Sequence, residues 1–372
     1  MSGTTTRAAI LRGVGEPWEI ITLDLDEPRE REVLVQFEYS GLCQSDHHFR
    51  SGDIPARYPL IGGHEGSGVV EKVGPGVTRV EVGDHIVCSF LPVCGVCRWC
   101  ATGHSGLCDL GLNAGTGKLP DGTYRFHHGD DDLGGVCALG TFSERAVISE
   151  YSCVKLDNDI RLDVAALLGC GVPTGWGSAV YAADVKPGDV VVIYGSGGVG
   201  SNAVQGAAQA GASVVAVVDP VQFKRDMAVT FGATHTFERH SEAVNFIREI
   251  TWGRMADSAI ITVALHTAEI TDQALGIIGK VGTVAVTATG HQAEKQIVIN
   301  AQSLKGYQQR IQGVMFGNCN PLADIPRLTN QYKRGRLKLD ELITRRYRLD
   351  DINTGFDDLN SGKNIRGVIE HS

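Results

Sequence analysis

The sequence predicts an α/β protein with two domains, the first rich in β-strands and the second built on a parallel sheet with helices on its faces. A chain of 372 residues is longer than a single hydrophobic core usually grows, which favours two domains. Residues 30–92 contain short apolar or alternating segments between Gly and Pro turns, a pattern typical of strands. After residue 171, apolar segments alternate with helix-like ones, and this rhythm predicts the parallel sheet.

The predicted strands of the first domain are short and are separated by turns such as VGPGV at residues 73–77. Turns at this frequency predict a barrel-like β domain. The segments with the strand pattern are EVLVQFEY at 32–39, GSGVVEKV at 66–73 and DHIVCSF at 84–90.

In the second domain, strand and helix segments alternate, so each helix would connect two strands that run parallel to each other. From about Val314 onwards the chain is expected to be irregular, apart from a helix in DIPRLTNQYKRG and a final strand in IRGVIEHS. The strand segments are DVVVIYG (189–195), SVVAVVD (213–219), SAIITVA (258–264) and GTVAVTA (282–288), and the helical ones are SNAVQGAAQAGA (201–212) and VQFKRDMAVTFGA (221–233).

The composition excludes several classes of partner. With 34 Lys and Arg against 43 Asp and Glu, the formal net charge is −9, which repels phosphate backbones and argues against nucleic acid. The first residues, MSGTTTRAAILRGVGEPWEI, lack the apolar core of a signal peptide, and no apolar run approaches the roughly 20 residues of a membrane span. We therefore expect a soluble, cytoplasmic protein without a membrane partner. In that compartment clustered thiols more often bind metal or act in catalysis than form disulfides.

A glycine-rich turn is the first candidate site. Gly195, Gly197 and Gly200 form GxGxxG, with Gly198 and Val199 inside it. In a chain with 47 glycines the motif alone is weak, but it follows an apolar strand and opens a helix, as a dinucleotide-binding turn does. Such glycines let the backbone approach a pyrophosphate at the helix N-terminus.

Asp219 ends the next strand, close to the spacing of about 20 residues expected for a ribose-binding acid. Its carboxylate would accept hydrogen bonds from the adenosine ribose hydroxyls and repel a 2′-phosphate, so NAD is favoured over NADP. The alternative is a structural strand-to-helix turn followed by a solvated acid.

The segment CGVCRWCATGHSGLC contains four cysteines, and its spacing predicts a closed tetrahedral zinc site that stabilises a loop. Free thiols, a CxxC redox pair and an iron–sulfur cluster are the alternatives. A redox pair usually accompanies a thioredoxin-like βαβ unit, which is absent here, whereas spacing alone does not exclude a cluster. The four residues are Cys94, Cys97, Cys100 and Cys108.

Taken together, the motifs resemble those of the zinc-dependent medium-chain alcohol dehydrogenases, in the same order and over nearly the whole chain. The segments that carry the resemblance are GLCQSDHH, GGHEGSGVV, VGPGVTRVEVGDHIV, CGVCRWC, LLGCGVPTGWGSA, VKPGDVVVIYGSGGVG, VVDP and GKNIRGVI. The resemblance implies a GroES-like catalytic domain built from residues 1–171 and 314–372. A Rossmann NAD-binding domain would occupy residues 172–313, and the protein would be a homo-oligomer.

Within that family, DGTYRFHHGDDD and FGNCNPLADIPRL are similar to the nicotinoprotein branch, which is assayed with the acceptor nitrosodimethylaniline (NDMA). Such enzymes hold NAD tightly, recycle it in place, and are associated with the redox carrier mycofactocin. The resemblance implies hydride transfer between a primary alcohol and NAD. The rival interpretations are a mycothiol- or glutathione-dependent formaldehyde dehydrogenase, an enzyme with exchangeable NAD, and a zinc-stabilised scaffold without turnover.

The resemblance also implies a catalytic zinc held by Cys43, His64 and Cys170, a set that matches the family and does not follow from spacing. Glu65 would lie beside the metal. Asp46 would accept the free ring N–H of the ligand imidazole. Because a binding scaffold needs neither an open zinc position nor a proton relay, the retention of these groups argues against it.

The remaining implied roles are a proton relay, a cofactor site and a substrate cleft. One departure concerns Gln44, since well-known relatives carry a basic residue there that touches the pyrophosphate. Lys224 and Arg366 could otherwise be solvated surface charges. Phe90 and Phe142 could otherwise be ordinary core residues. The relay residues are Ser45 and His48, the cofactor contacts are Gln44, Thr174, Lys224 and Arg366, and the cleft residues are Phe90 and Phe142.

Overall fold

The computed structural model describes residues 4–293, 297 and 299–371. Contacts divide the chain into two compact units, the first formed by residues 1–170 and 320–372 and the second by residues 171–319. The chain therefore passes between units after Cys170 and after Cys319, compared with the boundaries expected near residues 171 and 314.

The first unit contains twelve named strands and five α-helices among its described residues. Its strands are β1 (Thr4–Leu11), β2 (Glu19–Leu25), β3 (Glu32–Gly41), β4 (Leu60–Ile61), β5 (Gly66–Val73), β6 (His85–Cys88), β7 (Phe126–His128), β8 (Asp131–Gly135), β9 (Arg145–Ser149), β10 (Cys153–Lys155), β17 (Ile343–Arg348) and β18 (Arg366–Glu370). Its helices are α1 (Gln44–Ser51), α2 (Arg98–Ala101), α3 (Leu162–Ala166), α10 (Pro321–Lys333) and α11 (Ile352–Asn360).

Two sheets organise this unit. Strands β1, β2, β7, β8 and β4 close into a small barrel, and a second sheet has the order β10-β6-β5-β3-β18-β17, with β9 also paired to β3. Strand β3 is central, and its Val33, Leu34, Val35 and Phe37 are all buried. Burying each such side chain contributes about 1.5–3 kcal/mol, so β3 is a rigid support for the residues that follow it.

The second unit has a six-stranded sheet whose strand pairs are all parallel. The strand order, β13-β12-β11-β14-β15-β16, is the 3-2-1-4-5-6 order of a Rossmann fold. The predicted fold class is therefore confirmed. The strands are β11 (Val190–Tyr194), β12 (Val214–Val218), β13 (His235–Phe237), β14 (Ala256–Ile261), β15 (Ile278–Val286) and β16 (Arg310–Gly313), and the helices are α4 (Gly171–Gly177), α5 (Gly198–Gln209), α6 (Gln222–Phe231), α7 (His240–Ile250), α8 (Ala268–Ile277) and α9 (Ala301–Gly306).

The C-terminal part is more regular than its sequence indicates. Between the expected helix and the final strand lie β17 and α11, which the prediction of irregular chain omitted. Strand β17 pairs with β18, but its apolar residues do not alternate, and the three arginines of ITRRYR lie at exposed positions. Within the described ranges, no helix has both the length and the apolarity needed to cross a bilayer.

Candidate active site and metal centres

Four buried side chains from distant parts of the chain meet in the first unit. The sulfur atoms of Cys43 and Cys170, a ring nitrogen of His64 and a carboxylate oxygen of Glu65 all lie within 4.8 Å of one another. Ligands of a single zinc ion, each about 2.0–2.3 Å from the metal, are separated by comparable distances. The donor set of two thiols and an imidazole therefore fits a zinc ion.

Local backbone geometry brings two of these residues together. Cys43 follows the buried strand β3 and is the N-cap of α1. His64 follows Gly62 and Gly63, where a Cβ atom would lie 2.4 Å from the Trp18 ring and 2.5 Å from the Phe142 nitrogen, respectively. Only glycine allows the chain to approach these neighbours so closely, which explains why two glycines precede His64.

Asp46 orients the imidazole. Its Oδ1 lies 3.1 Å from Nδ1 of His64 and accepts a hydrogen bond from the Gly63 N–H at 3.0 Å. The carboxylate is fully buried. Because Asp46 engages Nδ1, Nε2 of His64 is the nitrogen available to a metal.

Glu65 is paired with Arg366, and both side chains are buried. Oε1 of Glu65 has no hydrogen-bond partner among the described residues, as expected of a carboxylate beside a cation site. Burial raises the pKa of Glu65 to about 7, although the guanidinium opposes this shift. The interpretation of Arg366 as a solvated charge is wrong, because the side chain is 4% exposed; its contact with a pyrophosphate stays a prediction.

Each member of the ligand group affects the pKa values of the others. The hydrogen bond between the two thiols lowers the pKa of Cys43 well below its usual range and raises that of Cys170 well above it. Burial lowers the pKa of His64, but the Asp46 carboxylate and the two thiols outweigh burial and raise it well above its ordinary value. Metal ligands must be deprotonated, so zinc binding here would release protons.

The two implied relay residues lie on α1. The Ser45 hydroxyl oxygen is 3.7 Å from the Cys43 sulfur, which places it beside the metal ligands. His48 is buried, and its Nδ1 lies 2.9 Å from Oδ2 of Asp53. Asp53 was missed by sequence reasoning, although it is only five residues from His48; an acid near a histidine is too common a pattern to be informative alone.

The two aromatic residues expected in the cleft have different surroundings. The Phe90 ring is partly exposed and meets the His64 ring edge-to-face, with centroids 5.6 Å apart. Phe142 is fully buried between the rings of Trp18 and Phe356. Phe142 therefore offers no surface to a substrate in this structure, and the ordinary-core interpretation describes it.

The four cysteines of residues 94–108 form a second group whose sulfur atoms also lie within 4.8 Å of one another. The Cys94–Cys100 and Cys97–Cys108 sulfur distances are 3.9 and 4.0 Å. Disulfides are excluded because their S–S bond is only about 2.05 Å long. Tetrahedral zinc with Zn–S bonds of about 2.3 Å gives sulfur separations near 3.8 Å, so a single zinc ion fits.

Backbone N–H groups donate hydrogen bonds to sulfur atoms of this four-cysteine group. The Cys94 sulfur accepts hydrogen bonds from the N–H groups of Val96 and Cys97 at 3.4 and 3.2 Å. The N–H groups of Cys100 and Asp109 lower the pKa of the Cys97 thiol to about 6. All four donors are thiols, so the set closes around a zinc ion and leaves no position for a reactant.

Replacing Cys100 with serine is expected to remove zinc from this lobe and to lower the midpoint of thermal unfolding by roughly 5 °C, because structural zinc contributes folding energy. Metal analysis and thermal unfolding measure the two effects. The matched control is Cys319→Ser, which replaces a buried cysteine outside both metal groups. A stable Cys100→Ser protein with unchanged zinc content would contradict the assignment.

The glycine turn of the second unit has the geometry that a dinucleotide needs. A Cβ on Gly195 or Gly200 would clash with the backbone at 2.9 Å (Thr262 O) or 1.9 Å (Gly195 O), whereas one on Gly197 would meet nothing within 4 Å. Gly195 and Gly200 thus shape the turn, and Gly197 leaves open space at the N-terminus of α5. This is the cradle expected for a pyrophosphate.

The other residues expected at the cofactor fall into two groups. In the second unit, Thr174 precedes Gly175, whose Cβ would lie 2.0 Å from the Val199 oxygen, so Thr174 adjoins the glycine turn. Lys224 is partly buried on α6. Gln44, the first residue of α1, lies in the first unit with Arg366. Their contacts with a cofactor stay predictions.

Asp219 is held at the end of β12. Its two carboxylate oxygens accept hydrogen bonds from the N–H groups of Ser196 and Val221, each at 2.8 Å. Arg225, which sequence reasoning missed, donates to the Asp219 carbonyl at 2.7 Å. A carboxylate oxygen accepts more than one hydrogen bond, so the acid retains capacity for ribose hydroxyls.

Comparisons with known proteins agree with this geometry. The alcohol dehydrogenase GroES-like domain model matches residues 29–158, and the zinc-binding dehydrogenase model matches residues 198–333. An NDMA-dependent alcohol dehydrogenase of Amycolatopsis methanolica is 52% identical over 367 residues, with 99% of each chain covered. An S-(hydroxymethyl)glutathione dehydrogenase of Synechocystis is 34% identical over 384 residues, with 98% of this chain and 100% of the relative covered.

Among solved structures, an alcohol dehydrogenase zinc-binding domain protein from Burkholderia ambifaria is similar over 100% of both chains, with a TM-score of 0.92 and 31% identity. The chain therefore belongs to the zinc-dependent medium-chain alcohol dehydrogenases, a family of oxidoreductases. Within this family it is similar to the NDMA-dependent enzymes, as its sequence motifs predict, and its activity is zinc-dependent alcohol oxidoreduction.

Proposed function

We propose that this protein interconverts primary alcohols and aldehydes with an NAD molecule that stays bound and is recycled in place. One zinc ion would be held by Cys43, His64 and Cys170, and a second by the four-cysteine lobe. The observation that carries the proposal is the buried group of two thiols and one imidazole, with Ser45 beside it. The 52% identity to an NDMA-dependent enzyme supports the bound cofactor.

Zinc would supply Lewis-acid polarisation of the alcohol oxygen, and the nicotinamide would supply a hydride acceptor. The protein's own residues orient the reactants and move a proton. Ser45, whose oxygen lies 3.7 Å from the Cys43 sulfur, would accept the hydroxyl proton of an alcohol and release its own proton towards His48. His48 provides the next base, and general base catalysis of this kind contributes about 10²- to 10⁴-fold.

Burial of the ligand group supports the same chemistry. Cys43, His64 and Cys170 are 5%, 2% and 6% exposed, so bulk water has little access to the reacting centre. A dry site strengthens electrostatic interactions and protects the reactive hydride. Glu65 and Arg366 add a buried ion pair next to this ligand group.

NAD is the proposed nucleotide because the carboxylate of Asp219, which is buried, would repel the 2′-phosphate of NADP. Since a retained cofactor cannot carry electrons away, a second redox carrier must reoxidise it, and a mycofactocin-like molecule remains our expectation. The cytoplasmic location and the homo-oligomeric state are also retained as predictions.

Denaturing the purified protein is expected to release about one NAD(H) per chain, and the native protein should oxidise a primary alcohol with NDMA and no added NAD. Nucleotide release is measured by absorbance and chromatography, and turnover by NDMA bleaching.

Two outcomes would separate the rivals. Activity that appears only with added NAD, in protein that releases no nucleotide, would leave an alcohol dehydrogenase with exchangeable cofactor. Formaldehyde oxidation that depends on added mycothiol or glutathione would favour the thiol-adduct enzyme.

A further inference from the structure

Asp53 forms a buried pair with His48 at the end of α1. Nδ1 of His48 lies 2.9 Å from Oδ2 of Asp53, and the two side chains are 3% and 15% exposed. The same carboxylate oxygen accepts a hydrogen bond from the Ser51 hydroxyl at 2.5 Å. Ser51 is exposed, so the pair connects a buried ring to the protein surface.

The chain is shaped to make this contact. Helix α1 ends at Ser51, and Gly52 adopts a φ of 82° that reverses the chain. A Cβ on Gly52 would also lie 2.9 Å from the Val14 side chain. The Ile54 N–H then donates to the His48 carbonyl at 3.2 Å, which holds residue 53 against the ring.

The contact determines which ring nitrogen of His48 carries hydrogen. An ionised carboxylate only accepts hydrogen bonds, so Nδ1 of a neutral His48 must carry the proton that Asp53 accepts. Nε2 is then the basic nitrogen. An imidazole held in this tautomer by a carboxylate is prepared to take a proton at Nε2, and the imidazolium that results is stabilised by the same carboxylate.

We propose that Asp53 is a positioning residue of the proton path, which keeps Nε2 of His48 basic and stabilises the ring while it is protonated. The inference rests on the proposed function, in which His48 receives the proton that leaves the alcohol. Nε2 gains one proton, the ring becomes cationic, and one proton passes to water when the ring returns to its neutral form. Asp53 remains ionised throughout.

Further charged or polar groups of the first unit surround α1. His47 and Arg50 belong to α1 itself. Residues 13–16 pack against the end of α1, where the Gly15 N–H donates to the Arg50 carbonyl and the Arg50 side chain donates to the Glu16 carbonyl. From α11, the neutral amide of Asn360 contacts His47.

The Asp53→Asn variant is expected to lower kcat/KM for alcohol oxidation by about 10- to 100-fold near pH 7, and by less than about threefold near pH 10, where hydroxide replaces the relay. Asp53→Glu should recover part of the loss, because it restores a carboxylate. Asp130→Asn, the same change on an exposed turn, should match the wild type at both pH values.

A double-variant comparison tests whether Asp53 acts through His48. On a His48→Asn background, Asp53→Asn should cause no further loss, because the ring that it orients is absent. Losses that add up, or an equal loss at both pH values, would overturn the proposal and assign Asp53 a purely structural role.

A spectroscopic readout separates this inference from the proposed function. In holoenzyme labelled with ¹⁵N-histidine, the resonances lost in His48→Asn identify the ring, and the wild type should show a protonated Nδ1 and an unprotonated Nε2. Asp53→Asn should change this pattern. If the wild type shows the opposite tautomer, the inference fails even if alcohol is oxidised; if the tautomer is as expected but no alcohol is oxidised, the proposed function fails instead.

Discussion

Replacing Cys170 with serine is expected to lower kcat/KM for alcohol oxidation by at least about 1000-fold, because the loss of metal polarisation costs several kcal/mol at the transition state. The substitution leaves Cys43 and His64, one fewer than the three protein ligands that catalytic zinc usually has. Metal analysis should show that zinc falls from two ions per chain to one. Bound NAD should be retained, since the glycine turn is unchanged.

The matched control is Cys153→Ser, the same substitution at a cysteine that is 1% exposed and outside both metal groups. This variant should keep both zinc ions and nearly full activity. If Cys170→Ser retained two zinc ions and wild-type turnover, the assignment of the catalytic site would be wrong.

Replacing Gly197 with alanine is expected to weaken binding of the proposed NAD cofactor while leaving the nucleotide-free protein as stable as the wild type. The new methyl group would meet no protein atom within 4 Å, and the backbone φ of −76° suits alanine. The methyl would instead occupy the space that a pyrophosphate needs, and we expect the affinity to fall about 100-fold, or roughly 3 kcal/mol. Nucleotide content after purification and thermal unfolding of the nucleotide-free protein measure the two effects.

The companion variant Gly200→Ala separates binding from folding. Its Cβ would lie 1.9 Å from the Gly195 oxygen, so the turn itself must shift, and destabilisation of about 1–3 kcal/mol is expected. The two glycines belong to the same motif, but Gly197→Ala should impair nucleotide binding, whereas Gly200→Ala should lower the stability of the fold. Normal nucleotide content in Gly197→Ala would contradict a pyrophosphate at this position.

Sequence reasoning succeeded where the signal is local. The strand patterns in residues 189–288 and in EVLVQFEY and GSGVVEKV predicted β11, β12, β14, β15, β3 and β5, because side-chain period reflects burial directly, but β13 and β16 were not predicted. It failed for β17, whose arginines mask the strand pattern, and for the surroundings of Arg366. The resemblance implied a pyrophosphate contact for Arg366, with a solvated charge as the alternative, and did not predict its buried pairing with Glu65, 301 residues away.

The sequence by itself determined the fold class, the glycine turn and the four-cysteine lobe, since each depends on residues only a few positions apart. The resemblance of its motifs to one family implied that Cys43, His64 and Cys170 are zinc ligands, but it did not show how they are arranged. Only the tertiary structure brought these three side chains together, paired Arg366 with Glu65 and packed Phe142 into the core. Contacts of this kind are decided by packing between elements, and a one-dimensional pattern does not contain that information.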